Sequence, residues 1–115
     1  MLGRMNARSG VALAEHPSPD ADLPALAEVF GLLADPGRLR ILLVLRAGEA
    51  NVGQLSARCR LSESATSHAL RLLRSHGVVR ARRSGRLAFY SLADEHVRDL
   101  LDIAVAHAEH GRSPS

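Results

Sequence analysis

The sequence predicts a mainly α fold with a β-hairpin wing: a winged helix-turn-helix in the order α-α-α-α-β-β-α, assembled as a homodimer. Three observations lead there. A short helical segment opening at Asn51 is joined by a tight connection at Leu61 and Ser62 to a second one, from about Ser64 to His76. Two β-type runs with a basic, Gly-containing turn follow. The last helical segment, Asp94 to His110, carries two pairs of metal donors that one chain cannot bring together.

Residues 1–21 show no sustained periodicity and contain Gly3, Gly10, Pro17 and Pro19, which predicts a mobile N-terminal arm. His16 lies within it. The folded domain is expected over 22–110, with 111–115 as a C-terminal tail. Asp22 is placed to cap the first helix with Pro24 in its first turn, and Leu26, Val29, Phe30 and Leu33 follow the i, i+3, i+4, i+7 pattern of one apolar face. That face is expected to contribute to a dimer interface. Asp35 before Pro36 signals a second start, and Leu39, Leu42, Leu43 and Leu45 carry the second helix toward Gly48 as its stop. Asn51 and Gln54 have capping-box spacing, which opens the third helix with Val52 and Leu55 inward. The fourth ends at Gly77. The runs Val78 to Arg82 and Leu87 to Leu92, joined through Arg83, Ser84, Gly85 and Arg86, alternate as a hairpin does.

At 115 residues the chain is one domain. With two Phe, one Tyr and no Trp, its core must come from Leu, Val, Ile and Ala. The net charge is +3, the sequence pI near 10.4, and every basic side chain other than histidine is Arg. Placement says more than the total. From Ser64 to Gly85 there are five arginines and no acid, whereas Asp94 to His110 holds five acids against Arg98. One part is suited to a polyanion and the other to cations. A single cysteine, Cys59, excludes an internal disulfide and fits a reducing cytoplasm; it reads as a small buried residue. No leader pattern and no run of about 18 apolar residues occurs, so a cytoplasmic protein without a membrane partner is expected.

In the last helix the donors are Asp94 with His96, and His107 with His110. His107 and His110 are three apart and so neighbours on one helical surface. From His96 to His107 is eleven residues, about 16 Å of rise at 1.5 Å per residue, far beyond twice a metal bond of roughly 2.0–2.2 Å. An antiparallel second copy closes the gap by placing His107 and His110 of one subunit opposite Asp94 and His96 of the other. Two-fold symmetry then makes two intersubunit sites per dimer. The competing reading, solvated histidines on an Ala-rich helix, is weakened by three of them sharing a segment with a carboxylate.

On the fourth helix Ser64, Ser67, His68 and Arg71 share one face and Ala65, Ala69, Leu72 and Leu73 another. Short hydroxyls, an imidazole and a guanidinium suit a helix laid in a major groove, and Arg82, Arg83 and Arg86 at the hairpin tip would meet phosphates or the minor groove. The expected partner is a double-stranded DNA operator with an imperfect inverted repeat, matching the dimer.

From about Leu23 to His110 the chain resembles the ArsR/SmtB family of metal-responsive winged-helix repressors. The likeness is carried by LADPGRLRILLVL (33–45), LSESATSHALRLLRSHGVV (61–79), SGRLAFYSLADEHV (84–97) and AVAHAEH (104–110). The resemblance implies a non-enzymatic regulator released from DNA when metal binds between the last helices. It implies that Asp94, His96, His107 and His110 are the ligands, and that Glu63, Ser64, Ser67 and His68 contact DNA. It also implies that His107 reaches a carbonyl near Gly77. The family's thiolate site is absent, since Asn51 and Gly53 stand at its two cysteine positions. Three imidazoles and a carboxylate suit Zn(II), and also Co(II); the run LLDIAVAHAEH is also similar to the family's nickel and cobalt sensors, a resemblance that leaves Zn(II) and Ni(II) almost level with Co(II) behind. Six-coordination would need extra donors such as Glu109, water or His16. A regulator with a non-metal effector, or an activator acting with a partner protein, is the alternative; a metallohydrolase is disfavoured because no general base stands near His96 or His107.

Overall fold

The computed structural model describes residues 22–112. The arm expected over 1–21, with His16, and the end of the expected tail lie outside the described residues. Among the described residues, five helices and a small antiparallel sheet follow the predicted order with one addition. They are α1 (Leu23–Ala34), α2 (Pro36–Leu45), β1 (Ala50–Asn51), α3 (Val52–Cys59), α4 (Glu63–Ser75), β2 (Val79–Ser84), β3 (Leu87–Leu92) and α5 (Glu95–Arg112). The predicted order lacked β1, which pairs with β3 through Ala50↔Tyr90 and Asn51↔Phe89 and makes the sheet three-stranded, β1-β3-β2. Two residues are too few for alternation to register in a sequence.

Local chemistry fixes most boundaries. Pro36 drives Asp35 out of the α region (φ −81°, ψ 124°), ending α1, and the Asp35 carboxylate accepts from the Arg38 backbone N–H at 3.0 Å to start α2. Replacing Asp35 by Ala should cost about 1 kcal/mol of unfolding free energy, read from urea denaturation. The Arg38 guanidinium turns back to the end of α1, Nε donating to the Leu32 carbonyl at 3.0 Å and Nη2 to that of Gly31 at 3.4 Å. Asp22 does not cap α1: it sits in the left-handed region (φ 52°) with no side-chain capping bond. α2 stops at Leu45, short of the expected Gly48, because its end tightens into i→i+3 bonds, Ala47 to Val44 and Gly48 to Leu45. The capping box of α3 is complete, with Asn51 and Gln54 exchanging bonds of 2.9 Å. Ser62 caps α4 through the Ala65 N–H at 2.9 Å, so the helix begins one residue before the expected Ser64.

At the other end of α4, Gly77 (φ 73°) supplies the left-handed residue of a Schellman motif: Val78 N–H bonds the Leu73 carbonyl and Gly77 N–H that of Arg74. The wing turns on Gly85 (φ 63°) and Arg86 between the paired Ser84 and Leu87. This tight two-residue loop lengthens β2 beyond its expected end at Arg82.

The core is aliphatic, built from Ile41, Leu42, Leu45, Leu55, Leu70, Leu73, Val79, Leu92 and Leu101 around the helix-turn-helix. The buried seam of α4 is Thr66, Ala69, Leu70 and Leu73, rotated from the expected Ala65, Ala69, Leu72 and Leu73. Thr66 can be wholly buried because its hydroxyl donates to the Ser62 carbonyl at 2.8 Å. On α1 only Leu32 is buried, while Leu26 and Phe30 are 52% and 53% exposed, and Ile103 on α5 is 67% exposed. Exposed apolar residues of that size on two helices make a surface of the kind that meets another protein.

Candidate functional site

The rotation of α4 leaves its outward face as expected: Glu63, Ser64, His68 and Arg71 are exposed and Ser67 is half-buried beside them. Asn51, Gly53 and Glu63 border a cleft of about 440 Å³ whose other wall is the wing, with Arg83, Arg86, Leu87 and Tyr90. Arg83 and Arg86 therefore share a cleft with Glu63, the first residue of α4.

Arg82 is differently placed. It stands within β2 opposite Phe89, not at the hairpin tip. Its guanidinium grips the Glu49 carboxylate, Nη2 to Oε1 at 2.5 Å and Nε to Oε2 at 3.4 Å, and its carbon lies 5.1 Å from the centre of the Phe89 ring. The bond from Arg82, then its charge, holds the Glu49 carboxyl below its ordinary value, and Glu49 raises Arg82 in return. Because the Glu49 pKa is depressed, the pair is intact above the ordinary carboxylate range and is lost as pH falls through the lowered value. Glu49 carries no signal in the sequence, since its partner is 33 residues away.

The four residues expected to bind metal lie on α5 and just before it. Asp94 Oδ1 accepts from the Val97 N–H at 3.1 Å, which orients the carboxylate and leaves its second oxygen free of that bond. His96 Nδ1 is 3.7 Å from Asp94 Oδ1, with side-chain exposures of 87% and 55%. His107 and His110 are exposed near the far end of the helix. Among the described residues of one chain, no three His, Cys, Asp or Glu side chains gather as an ion would require. The donor chemistry itself, imidazole plus carboxylate in reach of solvent, fits a borderline divalent cation. Gly77 is exposed at the end of α4.

Two bonds between residues distant in the chain, which the sequence did not reveal, hold α5 to the end of α2. Arg46 Nε pairs with Asp102 Oδ1 at 2.8 Å, and Arg98 Nη1 donates to the Arg46 carbonyl at 2.6 Å. Cys59 is fully buried; burial pushes its thiol up, against the smaller influence of Arg40 and Arg58. A raised pKa keeps the thiol neutral to higher pH than in the unfolded chain. Its reaction with a disulfide reagent at pH 8 should be at least tenfold slower in the native protein than in denaturant, as followed by absorbance.

Among known proteins, the description "Bacterial regulatory protein, arsR family" matches residues 35–81. A transcriptional repressor SmtB homolog from Synechocystis sp. is 48% identical over 84 residues, 73% of this chain and 64% of that protein. The HTH-type transcriptional regulator NmtR of Mycobacterium tuberculosis is 44% identical over 104 residues, 88% and 87% of the two chains. The transcriptional activator HlyU of Vibrio cholerae is 38% identical over 62% of this chain and 66% of its own. The solution structure of a homodimeric winged helix-turn-helix DNA-binding domain from Mycobacterium bovis superposes with a TM-score of 0.74 at 27% identity, covering 98% of this chain and 94% of that one. Among the described residues no helix is long and apolar enough to cross a membrane.

Proposed function

The chain belongs to the ArsR/SmtB family of bacterial DNA-binding transcriptional regulators, which are not enzymes, and from that premise we propose that it is a homodimeric, metal-responsive repressor. The observation that carries this reading is α5: one helix bears two donor pairs about 16 Å apart, Asp94 with His96 and His107 with His110, and an exposed apolar side chain, Ile103, between them. A second copy running antiparallel completes both sites. It also covers Ile103 together with the exposed Leu23, Leu26 and Phe30 of α1. The folded unit of 22–110 then serves both dimerisation and DNA binding, in the cytoplasm.

The donor set suits Zn(II), and the likeness of the last helix to the family's nickel and cobalt sensors keeps Ni(II) almost level, with Co(II) next. A bound ion would supply the attraction that holds the donors of two subunits together. The chain's own residues do the rest: Asp94, fixed by its capping bond, presents an oxygen beside His96, and the α5 backbone fixes the spacing to His107 and His110. Glu63, Ser64, Ser67, His68 and Arg71 read an imperfect inverted repeat, with Arg83 and Arg86 on its phosphates. Arg82 serves DNA indirectly, through its hold on Glu49. His107 reaches the carbonyl near Gly77, which ties the donors to the end of the reading helix. A hundredfold loss of operator affinity requires a coupling of about 2.7 kcal/mol.

Native mass spectrometry during a metal titration, with visible spectra of the Co(II) and Ni(II) forms, tests the reading. Two ions per dimer and none on a monomer support it; an ion held by a monomer sinks it. The resemblance to an activator favours a second reading, in which the same dimer turns transcription on or answers a non-metal effector. An operator response that survives chelation would select that alternative.

A further inference from the structure

The stretch Arg46–Glu49 lies between the metal-donor helix and the wing and is fastened at both ends. At its start, Arg46 closes the end of α2; its side chain pairs with Asp102 of α5 at 2.8 Å and its carbonyl accepts from Arg98 of α5 at 2.6 Å. At its finish, Glu49 holds Arg82 of β2, which also stacks on Phe89 of β3. Gly48 between them adopts φ 153°, a conformation side chains rarely allow, and the i→i+3 bonds of Ala47 and Gly48 draw the segment tight. The next residue, Ala50, is wholly buried and paired with Tyr90. Slack is absent on either side of the glycine.

We propose that this four-residue strap transmits the position of α5 to the wing, with Arg46, Arg98 and Asp102 as positioning residues at one end and Glu49 with Arg82 at the other. The proposal rests on the metal-sensing reading for what moves α5, but not for the mechanical link itself. Half-exposed ion pairs of this kind contribute little to stability, so their placement at the two ends of one short segment points to registration. α5 also lies against β3; the two routes differ in that only the strap depends on Asp102 and Glu49.

Amide hydrogen exchange of the full chain separates them. In Asp102→Asn, exchange across 79–92 should rise about fivefold while the core helices and the melting temperature stay close to the parent's. Glu49→Gln should do the same, the double variant should go no further than either single one, and the charge swap Arg46→Glu with Asp102→Arg should restore the parent pattern. In operator titrations with Zn(II), a hundredfold metal effect should fall below about tenfold in the single variants with the number of bound ions unchanged. Unchanged wing exchange in both single variants overturns the strap, and so does a uniform rise across the whole core. If Asp102→Asn loosens the wing but the parent protein takes up no Zn(II), the strap stands and the sensing reading falls.

Discussion

A His107→Asn protein should bind its operator equally well, within about twofold, with and without saturating Zn(II), where the parent loses about a hundredfold. The expectation follows from counting donors and from what the imidazole has besides its ligating nitrogen. In the proposed site four donors would come from two subunits, and removing one imidazole would leave that set incomplete. The imidazole's second nitrogen is also the group expected to reach the carbonyl near Gly77, so ligation and transmission are cut together. Fluorescence anisotropy with a labelled inverted repeat measures it. A mutant that still releases DNA on adding metal would show that His107 is neither ligand nor link. Metal-free affinity should be unaltered, since His107 is exposed and its bond to that carbonyl is proposed to act only when metal orients the imidazole.

The second large effect is expected at Arg71. It is exposed on the face of α4 shared with Ser64, Ser67 and His68, and a bidentate contact to guanine is worth roughly 1–3 kcal/mol. Arg71→Ala should therefore weaken operator binding by that amount per half-site and relax preference at one base position. Arg86→Ala at the wing tip should behave differently, weakening all sequences alike and lowering the salt slope by about one per contact. Titrations at three salt concentrations on specific and scrambled DNA distinguish the two. Identical losses on both DNAs for Arg71→Ala would remove it from base reading.

Much of this architecture was legible because its signals are local. Asp35–Pro36, the Asn51 and Gln54 box and Gly77 each act within four residues, and the structure carries all three. The wing was found for the same reason. What escaped depends on residues distant in the chain. Strand β1 exists only because β3 offers it a ladder. Arg82 looked free at a hairpin tip because nothing nearby reveals Glu49, and the hold of Arg46 and Arg98 on α5 spans more than fifty residues. The phase of α4 was misread at Ala65, which is exposed, while Leu72 does pack against the core; Thr66 was missed because a threonine whose hydroxyl is satisfied by its own helix packs as a hydrocarbon. The outward face survived that error. The donors on α5 were visible as types and spacing, and among the described residues the single chain does not gather them.

The elbow between α1 and α2 carries a kinetic consequence. Asp35 is committed to the start of one helix while Arg38 clasps the last carbonyls of the other, so the angle at which Leu26 and Phe30 are displayed is set before any encounter. Subunits with such preformed surfaces meet as rigid bodies and need no folding step on contact. Differences in pairing strength among variants of this surface should then appear in how long two subunits stay together, rather than in how fast they find each other.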